Sequence, residues 1–223
     1  MQDEPAPDPE SEPESEREAR PLAWLPNALT LARVALAPAI LFALIAPSIG
    51  VEQYERMLTA GPPIAAGLIA LAGVLDWLDG RLARALRVES AFGRFWDPIA
   101  DKLVIGAGLL GGAFVLSSML FVLPAAMIVW RDGFVSWLRA RPSNSAAAIS
   151  NPLTLAKWKT AAEFAALLVI FGATPLLYAQ ATERLAGISL AIGLVVLWLA
   201  AALALWTGWR YAAAVREAGK SEV

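Results

Sequence analysis

The chain contains no cysteine and no histidine among its 223 residues. Without cysteine it can form no disulfide, thiolate nucleophile or cysteine–metal site. Without histidine it lacks the commonest general base and the usual zinc ligand. Acid–base and metal chemistry therefore fall to carboxylates, and sites with oxygen ligands alone suit hard cations such as Mg²⁺ or Mn²⁺.

Charged residues are also scarce, at 17% of the chain, whereas hydrophobic residues make up 58% and the mean hydropathy is +0.57. A soluble domain is nearer half apolar. The excess is gathered into runs, and a helix needs about 20 mostly apolar residues to cross a bilayer. Six runs qualify, at residues 28–48, 62–85, 94–113, 116–138, 158–178 and 186–210. We therefore predict an all-α integral membrane protein with six transmembrane helices.

The chain begins with an acidic segment that differs from the rest. Residues 1–20 hold eight acids and two arginines and are rich in proline, glutamate and serine. Such a composition predicts disorder, and the segment lacks the basic start and apolar stretch of a signal peptide. We divide the chain into a disordered acidic tail (1–20), a six-helix domain (21–214) and a short tail (215–223).

The basic residues predict the orientation in the membrane. Under the span assignment, sixteen of the eighteen lysines and arginines fall on one side, and only Arg56 and Arg184 fall on the other. Because lysine and arginine are enriched on the cytoplasmic side, both termini are predicted to be cytoplasmic. The stretch between spans two and three should then face the cytoplasm as well.

Four aspartates interrupt the apolar runs within DWLDGRLARALRVESAFGRFWDPIAD, residues 76–101. Successive helical residues are ~100° apart, so one stripe of span two carries two carboxylates, two small residues and an arginine. These residues are Asp76, Asp79, Gly80, Ala83 and Arg84. One face of span three carries Gly93, Asp97 and Asp101 at intervals of four. We predict that the two faces converge in one polar cavity.

Clustered carboxylates need compensation in a membrane. A charged side chain near the bilayer centre costs ~3 kcal/mol even on the lenient insertion scale, and two divalent cations would offset four such charges. The small residues would let a bulky ligand approach, and Arg84 would attract an anionic one. The alternative is a set of solvated acids, with Asp97 as an N-cap before Pro98. The joint spacing of acids, glycines and arginine favours the metal site.

The pattern Asp76-x2-Asp79-Gly80-x2-Ala83-Arg84-x8-Gly93-x3-Asp97-x3-Asp101 matches the signature of the CDP-alcohol phosphatidyltransferase family at every position. The resemblance extends over residues 26–164, through PNALTLAR at the start of span one, WRDGFVSWLRA at the end of span four and LAKWKT at the start of span five. These flanking segments look like those of the bacterial branch that makes phosphatidylglycerol phosphate.

The resemblance implies a six-helix enzyme of the bacterial inner membrane with a cytoplasm-facing polar cavity. Such an enzyme moves a phosphatidyl group from CDP-diacylglycerol to an alcohol and releases CMP. It implies that Asp76, Asp79 and Asp97 hold two Mg²⁺ or Mn²⁺ ions, and that Asp101 completes the second ion's ligands and acts as general base. Residues expected to bind CDP-diacylglycerol are Gly80, Ala83, Arg84, Ser90 and Gly93.

Two further groups of residues are candidates for substrate binding. Asn27, Thr30 and Arg33 lie along one face of span one and are expected at the edge of the nucleotide pocket, although Asn27 could instead cap the helix. A basic group at the ends of spans four and five comprises Arg131, Arg139, Lys157 and Lys159. It suits a phosphorylated acceptor, for which sn-glycerol 3-phosphate is the choice that the resemblance implies. The alternative is that these residues anchor the protein at the membrane surface or contact lipid head groups.

Other functions fit parts of the pattern. A cardiolipin synthase of the same family would use phosphatidylglycerol as acceptor, and an inositol phosphate is a third acceptor. Intramembrane prenyltransferases carry two separated aspartate-rich motifs, whereas the four aspartates here fall in one stretch. A cation transporter would explain the carboxylates but not Gly80, Arg84 or Gly93. No nucleic-acid partner is expected, and a homodimer is compatible with the sequence.

Overall fold

The computed structural model describes residues 24–46, 54–86, 91–139, 154–178 and 183–220. The described residues form six helices, numbered here in chain order. They are α1 (Leu25–Ile45), α2 (Tyr54–Leu86), α3 (Ala91–Leu116), α4 (Met119–Arg139), α5 (Thr154–Tyr178) and α6 (Glu183–Lys220). The predicted acidic tail and Ser90 lie outside the described residues.

Five of the described helices are long and apolar enough to cross a membrane. The qualifying stretches are Leu25–Ile45, Ala60–Ala85, Phe95–Leu116, Met119–Leu138 and Arg184–Arg216. These correspond to five of the six predicted spans, so an all-helical membrane protein is confirmed. The sixth predicted span falls on the 25-residue α5, which carries buried charge at Lys159 and Glu163. Six spans therefore stay a prediction.

The helices pack in a ring whose order differs from the order of the chain. Helix α1 packs against both α2 and α3, and α3 packs less extensively against α4. Helix α6 packs against α4 and α5, and α5 returns to α2. The order around the ring is therefore α2, α1, α3, α4, α6, α5. This arrangement brings polar residues of α2 and α3 opposite those of α4 and α5.

Glycines on α3 allow its close contact with neighbouring helices. A Cβ at Gly111 would lie 2.6 Å from Leu44 of α1. A Cβ at Gly112 would lie 2.6 Å from Phe121 of α4 and 2.9 Å from Phe171 of α5. Neither position has room for a larger residue, so this end of the ring is tightly packed around α3.

Two alternative interpretations, in which Asn27 and Asp97 are N-caps of their helices, are wrong. Helix α1 begins at Leu25 with Trp24 as its N-cap, so Asn27 lies inside the helix and does not cap it. Helix α3 begins at Ala91, so Asp97 is already in its second turn and is not an N-cap before Pro98. At the other end of the chain, α6 continues to Lys220 and passes through the predicted boundary at 214–215. Asp97 therefore projects from the side of α3 and not from its N-terminal end.

Candidate functional site

A polar cavity of about 630 Å³ lies inside the ring of helices. Its wall includes residues from five helices, α2 to α6, and two groups of charged side chains share it. We call the first group the aspartate cluster: Asp76, Asp79, Asp97 and Asp101 with Arg33. We call the second group the Lys159 cluster: Arg131, Asp132, Lys159 and Glu163.

All four aspartates come together around one cation from α1. The Nη1 atom of Arg33 donates to Asp101 Oδ1 at 2.8 Å and also bonds to Asp76. Its Nη2 atom donates to Asp97 Oδ1 at 3.0 Å and lies 3.0 Å from Asp79 Oδ2. The predicted convergence of the two helix faces is therefore present. Arg33, which was expected at the edge of a nucleotide pocket, lies among these carboxylates.

The members of the aspartate cluster differ in burial. Arg33 is 1% exposed and the Asp79 side chain is 7% exposed, whereas Asp76, Asp97 and Asp101 are partly open. Those three line the cavity. Thr30, also expected at the nucleotide pocket, donates to Asp97 Oδ1 at 2.9 Å. Thr30 of α1 thus orients the carboxylate of Asp97 on α3, and Arg33 of α1 holds all four acids together.

The aspartate cluster has the chemistry of a divalent-cation site, although its oxygens now surround a guanidinium. Within the described ranges, no three acids stand close enough together to hold one ion as they are placed. One guanidinium can neutralise only one of four carboxylates, and Asp79 Oδ2 is buried without a hydrogen bond from any described residue. Carboxylate oxygens are the ligands that Mg²⁺ and Mn²⁺ prefer. The donor set fits these cations if the guanidinium withdraws.

The residues expected to bind the donor's head group lie beside the cavity rather than on its described wall. Gly80, Ala83 and Arg84 follow Asp79 along α2, and Gly93 precedes Asp97 on α3. The Arg84 side chain folds over Gly80, where a Cβ would be 3.4 Å from Arg84 Nη1. Asn27 is half-buried on α1. No contact of the described residues assigns these five a ligand.

In the Lys159 cluster, each cation is held by defined partners. The Lys159 ammonium donates to Asp132 Oδ1 at 2.6 Å, and Glu163 Oε1 is 3.1 Å away. Arg131 Nη1 donates to the same Asp132 oxygen at 2.8 Å. The rest of the Arg131 guanidinium is held by α6, with Nε donating to the Ala204 carbonyl at 3.1 Å and Nη2 to Thr207 Oγ1 at 2.8 Å.

Two of the four predicted acceptor-binding residues therefore line the same cavity as the aspartates: Arg131 and Lys159. Both side chains are buried. The side chains of Arg139 and Lys157 lie outside the described residues. Lys102 also lines the cavity and donates to Ser136 Oγ at 2.6 Å.

Sequence reasoning missed two acids of this site, Asp132 and Glu163. Asp132 follows Arg131 directly, and Glu163 stands four residues after Lys159, one turn along the same helix. Opposite charges at this spacing are neighbours on a helix face. An acid within an apolar helix next to such a lysine was the signal that could have found Glu163.

Comparison with known proteins gives a family and several relatives. A model of the CDP-alcohol phosphatidyltransferase family matches residues 23–209. The chain is 33% identical over 216 residues to the CDP-diacylglycerol–glycerol-3-phosphate 3-phosphatidyltransferase of Cereibacter sphaeroides, covering 84% of this chain and 93% of the relative. It is 31% identical over 196 residues to the protein of the same name from Pectobacterium atrosepticum, covering 86% and 94%. It is also 32% identical over 204 residues to a CMP-forming cardiolipin synthase of Oryza sativa subsp. japonica, covering 83% and 55%.

Proposed function

The chain belongs to the CDP-alcohol phosphatidyltransferase family, and from this premise we propose its reaction: transfer of the phosphatidyl group from CDP-diacylglycerol to sn-glycerol 3-phosphate. The products are phosphatidylglycerol phosphate and CMP. The chain is a membrane-bound transferase of phospholipid biosynthesis. The observation that carries the choice of acceptor is one cavity with carboxylates on one wall and the buried cations Arg131 and Lys159 on the other.

Members of this family generally depend on divalent metal ions. In this proposal two ions, Mg²⁺ or Mn²⁺, are held by Asp76, Asp79 and Asp97, with Asp101 completing the second. When bound, such ions clamp a pyrophosphate and stabilise the charge that develops on the leaving CMP. The surplus of negative charge around Arg33 supports this role, because it leaves the cluster able to accept more cations.

Asp101 is the proposed general base. It lines the cavity and is partly open, so a hydroxyl group of the acceptor can reach it. As the hydroxyl oxygen attacks the phosphorus that carries diacylglycerol, its proton passes to Asp101. The new oxygen–phosphorus bond forms while the bond to CMP breaks, and CMP leaves with the electron pair.

The acceptor's phosphate group is proposed to bind Lys159 and Arg131. An ammonium has three donors and a guanidinium has five. Among the described residues, the Lys159 ammonium has two partners, and three donors of Arg131 have an acceptor. The remaining donors of both cations can bind phosphate oxygens while the contacts of each with Asp132 are kept. Arg139 and Lys157 are proposed to assist from the cavity's mouth.

The donor is proposed to keep its acyl chains in the bilayer while its head group enters the cavity. Gly80, Ala83, Arg84, Gly93 and Ser90 would then contact the cytidine diphosphate portion. Both termini and the mouth of the cavity would face the cytoplasm at the bacterial inner membrane. The distribution of basic residues supports this orientation.

Cardiolipin synthesis is the second candidate, because the chain is also similar to the cardiolipin synthase from Oryza sativa. The acceptor is then phosphatidylglycerol, whose bulk includes two acyl chains. The two buried cations favour a free phosphate group, which carries more negative charge than a phosphodiester.

An assay of the purified full-length chain in lipid nanodiscs distinguishes these candidates. CDP-diacylglycerol is supplied with labelled sn-glycerol 3-phosphate or with phosphatidylglycerol, and the lipid product and CMP are measured. We expect phosphatidylglycerol phosphate and equimolar CMP from the first acceptor and no cardiolipin from the second. Asp101→Asn is the negative control. Cardiolipin as the main product would contradict the proposed acceptor.

A further inference from the structure

Glu163 is an acid of the cavity wall that the proposed reaction does not use. Its side chain is 1% exposed, and it lies on the wall of the cavity that also contains Asp101 and Lys159. Glu163 Oε1 is 3.1 Å from Lys159 Nζ, yet neither carboxylate oxygen accepts a well-directed hydrogen bond within the described part of the chain. A buried carboxylate in this state is costly, because its lost hydration is replaced only in part.

The position of Glu163 relative to the cations limits what it can bind. Lys159 lies between Asp132 and Glu163, so a phosphate group bound by Lys159 and Arg131 draws the ammonium away from Glu163. Glu163 then needs another donor. A second anion is excluded by repulsion, and a neutral hydroxyl group is the donor that an acceptor alcohol carries.

The proposed acceptor has one hydroxyl group to spare. In sn-glycerol 3-phosphate the terminal hydroxyl is the less hindered nucleophile, and the hydroxyl on carbon 2 lies between it and the phosphate group. A hydroxyl that leaves water for a closed site must find a new acceptor. Resting on the proposed function, we infer that Glu163 accepts a hydrogen bond from the carbon-2 hydroxyl and so makes the enzyme selective for a diol phosphate.

Selectivity between two acceptors tests this role. The first acceptor is sn-glycerol 3-phosphate, and the second is 3-hydroxypropyl phosphate, which keeps the terminal hydroxyl and the phosphate but lacks the carbon-2 hydroxyl. For the wild-type enzyme we expect a kcat/KM ratio of roughly 10- to 100-fold in favour of the diol, since the analogue leaves Glu163 without a partner. A wild-type ratio near one would overturn the inference.

Two variants of similar side-chain volume separate hydrogen bonding from packing. Glu163→Met has no hydrogen-bond acceptor of comparable strength, and its ratio should fall to within about threefold of one, through loss of the diol reaction. Glu163→Gln keeps an acceptor oxygen, and its ratio should stay within about threefold of wild type. Phe164→Leu alters the adjacent cavity wall and should slow both acceptors equally.

A purely structural Glu163 would lower kcat/KM for both acceptors by the same factor in Glu163→Met and leave the ratio unchanged, which would refute the inference. Failure of the proposed function looks different, because the wild-type enzyme would then make no product from sn-glycerol 3-phosphate. Wild-type turnover of the diol together with an unchanged ratio in Glu163→Met therefore counts against Glu163 alone.

Discussion

The aspartate cluster and the Lys159 cluster share one cavity but balance their charges in different ways. Around Arg33, one cation faces four carboxylates. Around Lys159, two cations face two carboxylates, and each cation has assigned partners. The excess negative charge of the aspartate cluster favours the binding of added cations. The Lys159 cluster has equal numbers of cations and carboxylates, and its geometry is set before any ligand binds. The aspartate cluster therefore needs added cations before it can bind an anionic substrate, whereas the Lys159 cluster already has its cations in place.

The largest expected effect is that of removing divalent ions, which acts on the first cluster alone. With a chelator in excess, we expect transfer activity to vanish and to return on addition of Mg²⁺ or Mn²⁺, because four carboxylates and one guanidinium cannot neutralise a pyrophosphate. The transfer activity is measured as the release of CMP from CDP-diacylglycerol. Full turnover in metal-free buffer would contradict the two-ion proposal.

Asp101→Asn should come next, with turnover lower by roughly 10²-fold or more, because the base is lost while the shape is kept. Binding of CDP-diacylglycerol should be largely retained, since the other three aspartates are unchanged. Asp76→Asn serves as the comparison and should weaken donor binding as well. Single-turnover rates and donor titrations measure the two effects, and wild-type turnover in Asp101→Asn would remove it from the reaction.

Lys159→Gln should lower kcat/KM for the acceptor by roughly 10- to 150-fold, since a charge-assisted contact to the phosphate is worth about 1.5–3 kcal/mol. The donor KM should change little. The variant also leaves Asp132 and Glu163 with less positive charge, so its Tm should fall.

A double variant separates these two effects of Lys159. In Lys159→Gln with Glu163→Gln, one buried cation and one buried acid are removed together. We expect the Tm to recover part of its loss while the acceptor KM stays raised. If both the Tm and the acceptor KM returned toward their wild-type values, Lys159 would act on stability only and would not bind the phosphate.

The smallest expected effect is that of Arg33→Gln, which should lower the stability of the protein. Loss of the guanidinium leaves four carboxylates repelling one another, at a cost of about 1–3 kcal/mol, less than in a fully buried pair because three of the acids are partly exposed. The Tm in chelator should fall by several degrees and should be restored by Mg²⁺. Arg131→Gln is the matched control, whose loss of Tm Mg²⁺ should not restore.

Sequence patterns predicted the helices and the convergence of the aspartates because both follow from local periodicity. Long apolar runs locate membrane helices, and an interval of three or four residues places Asp76 next to Asp79 and Asp97 next to Asp101. The role of Arg33 could not be found in this way. It lies 43 positions before Asp76 and 68 before Asp101, so its contacts depend on how α1 packs between α2 and α3.

The Lys159 cluster was harder to predict for the same physical reason. Lys159 and Arg131 stood out as cations, but their contacts depend on the ring of helices. Lys159 of α5 reaches Asp132 of α4, a helix that does not stand next to it in the ring, and Arg131 reaches groups of α6, including Thr207. The order of helices around the ring decides these pairings, and no periodicity within one helix specifies that order. Acids beside basic residues within apolar segments were the signal that the sequence did contain.

The order of the ring has a consequence for biosynthesis. Helices α1 to α4 are synthesised before α5 and α6, and they form an open arc in which α2 and α4 are the two ends. The last two helices join these ends, α5 against α2 and α6 against α4. Lys159 reaches Asp132 only at that moment. The aspartates of α2 and α3 therefore come together with Arg33 of α1 before α5 and α6 close the cavity.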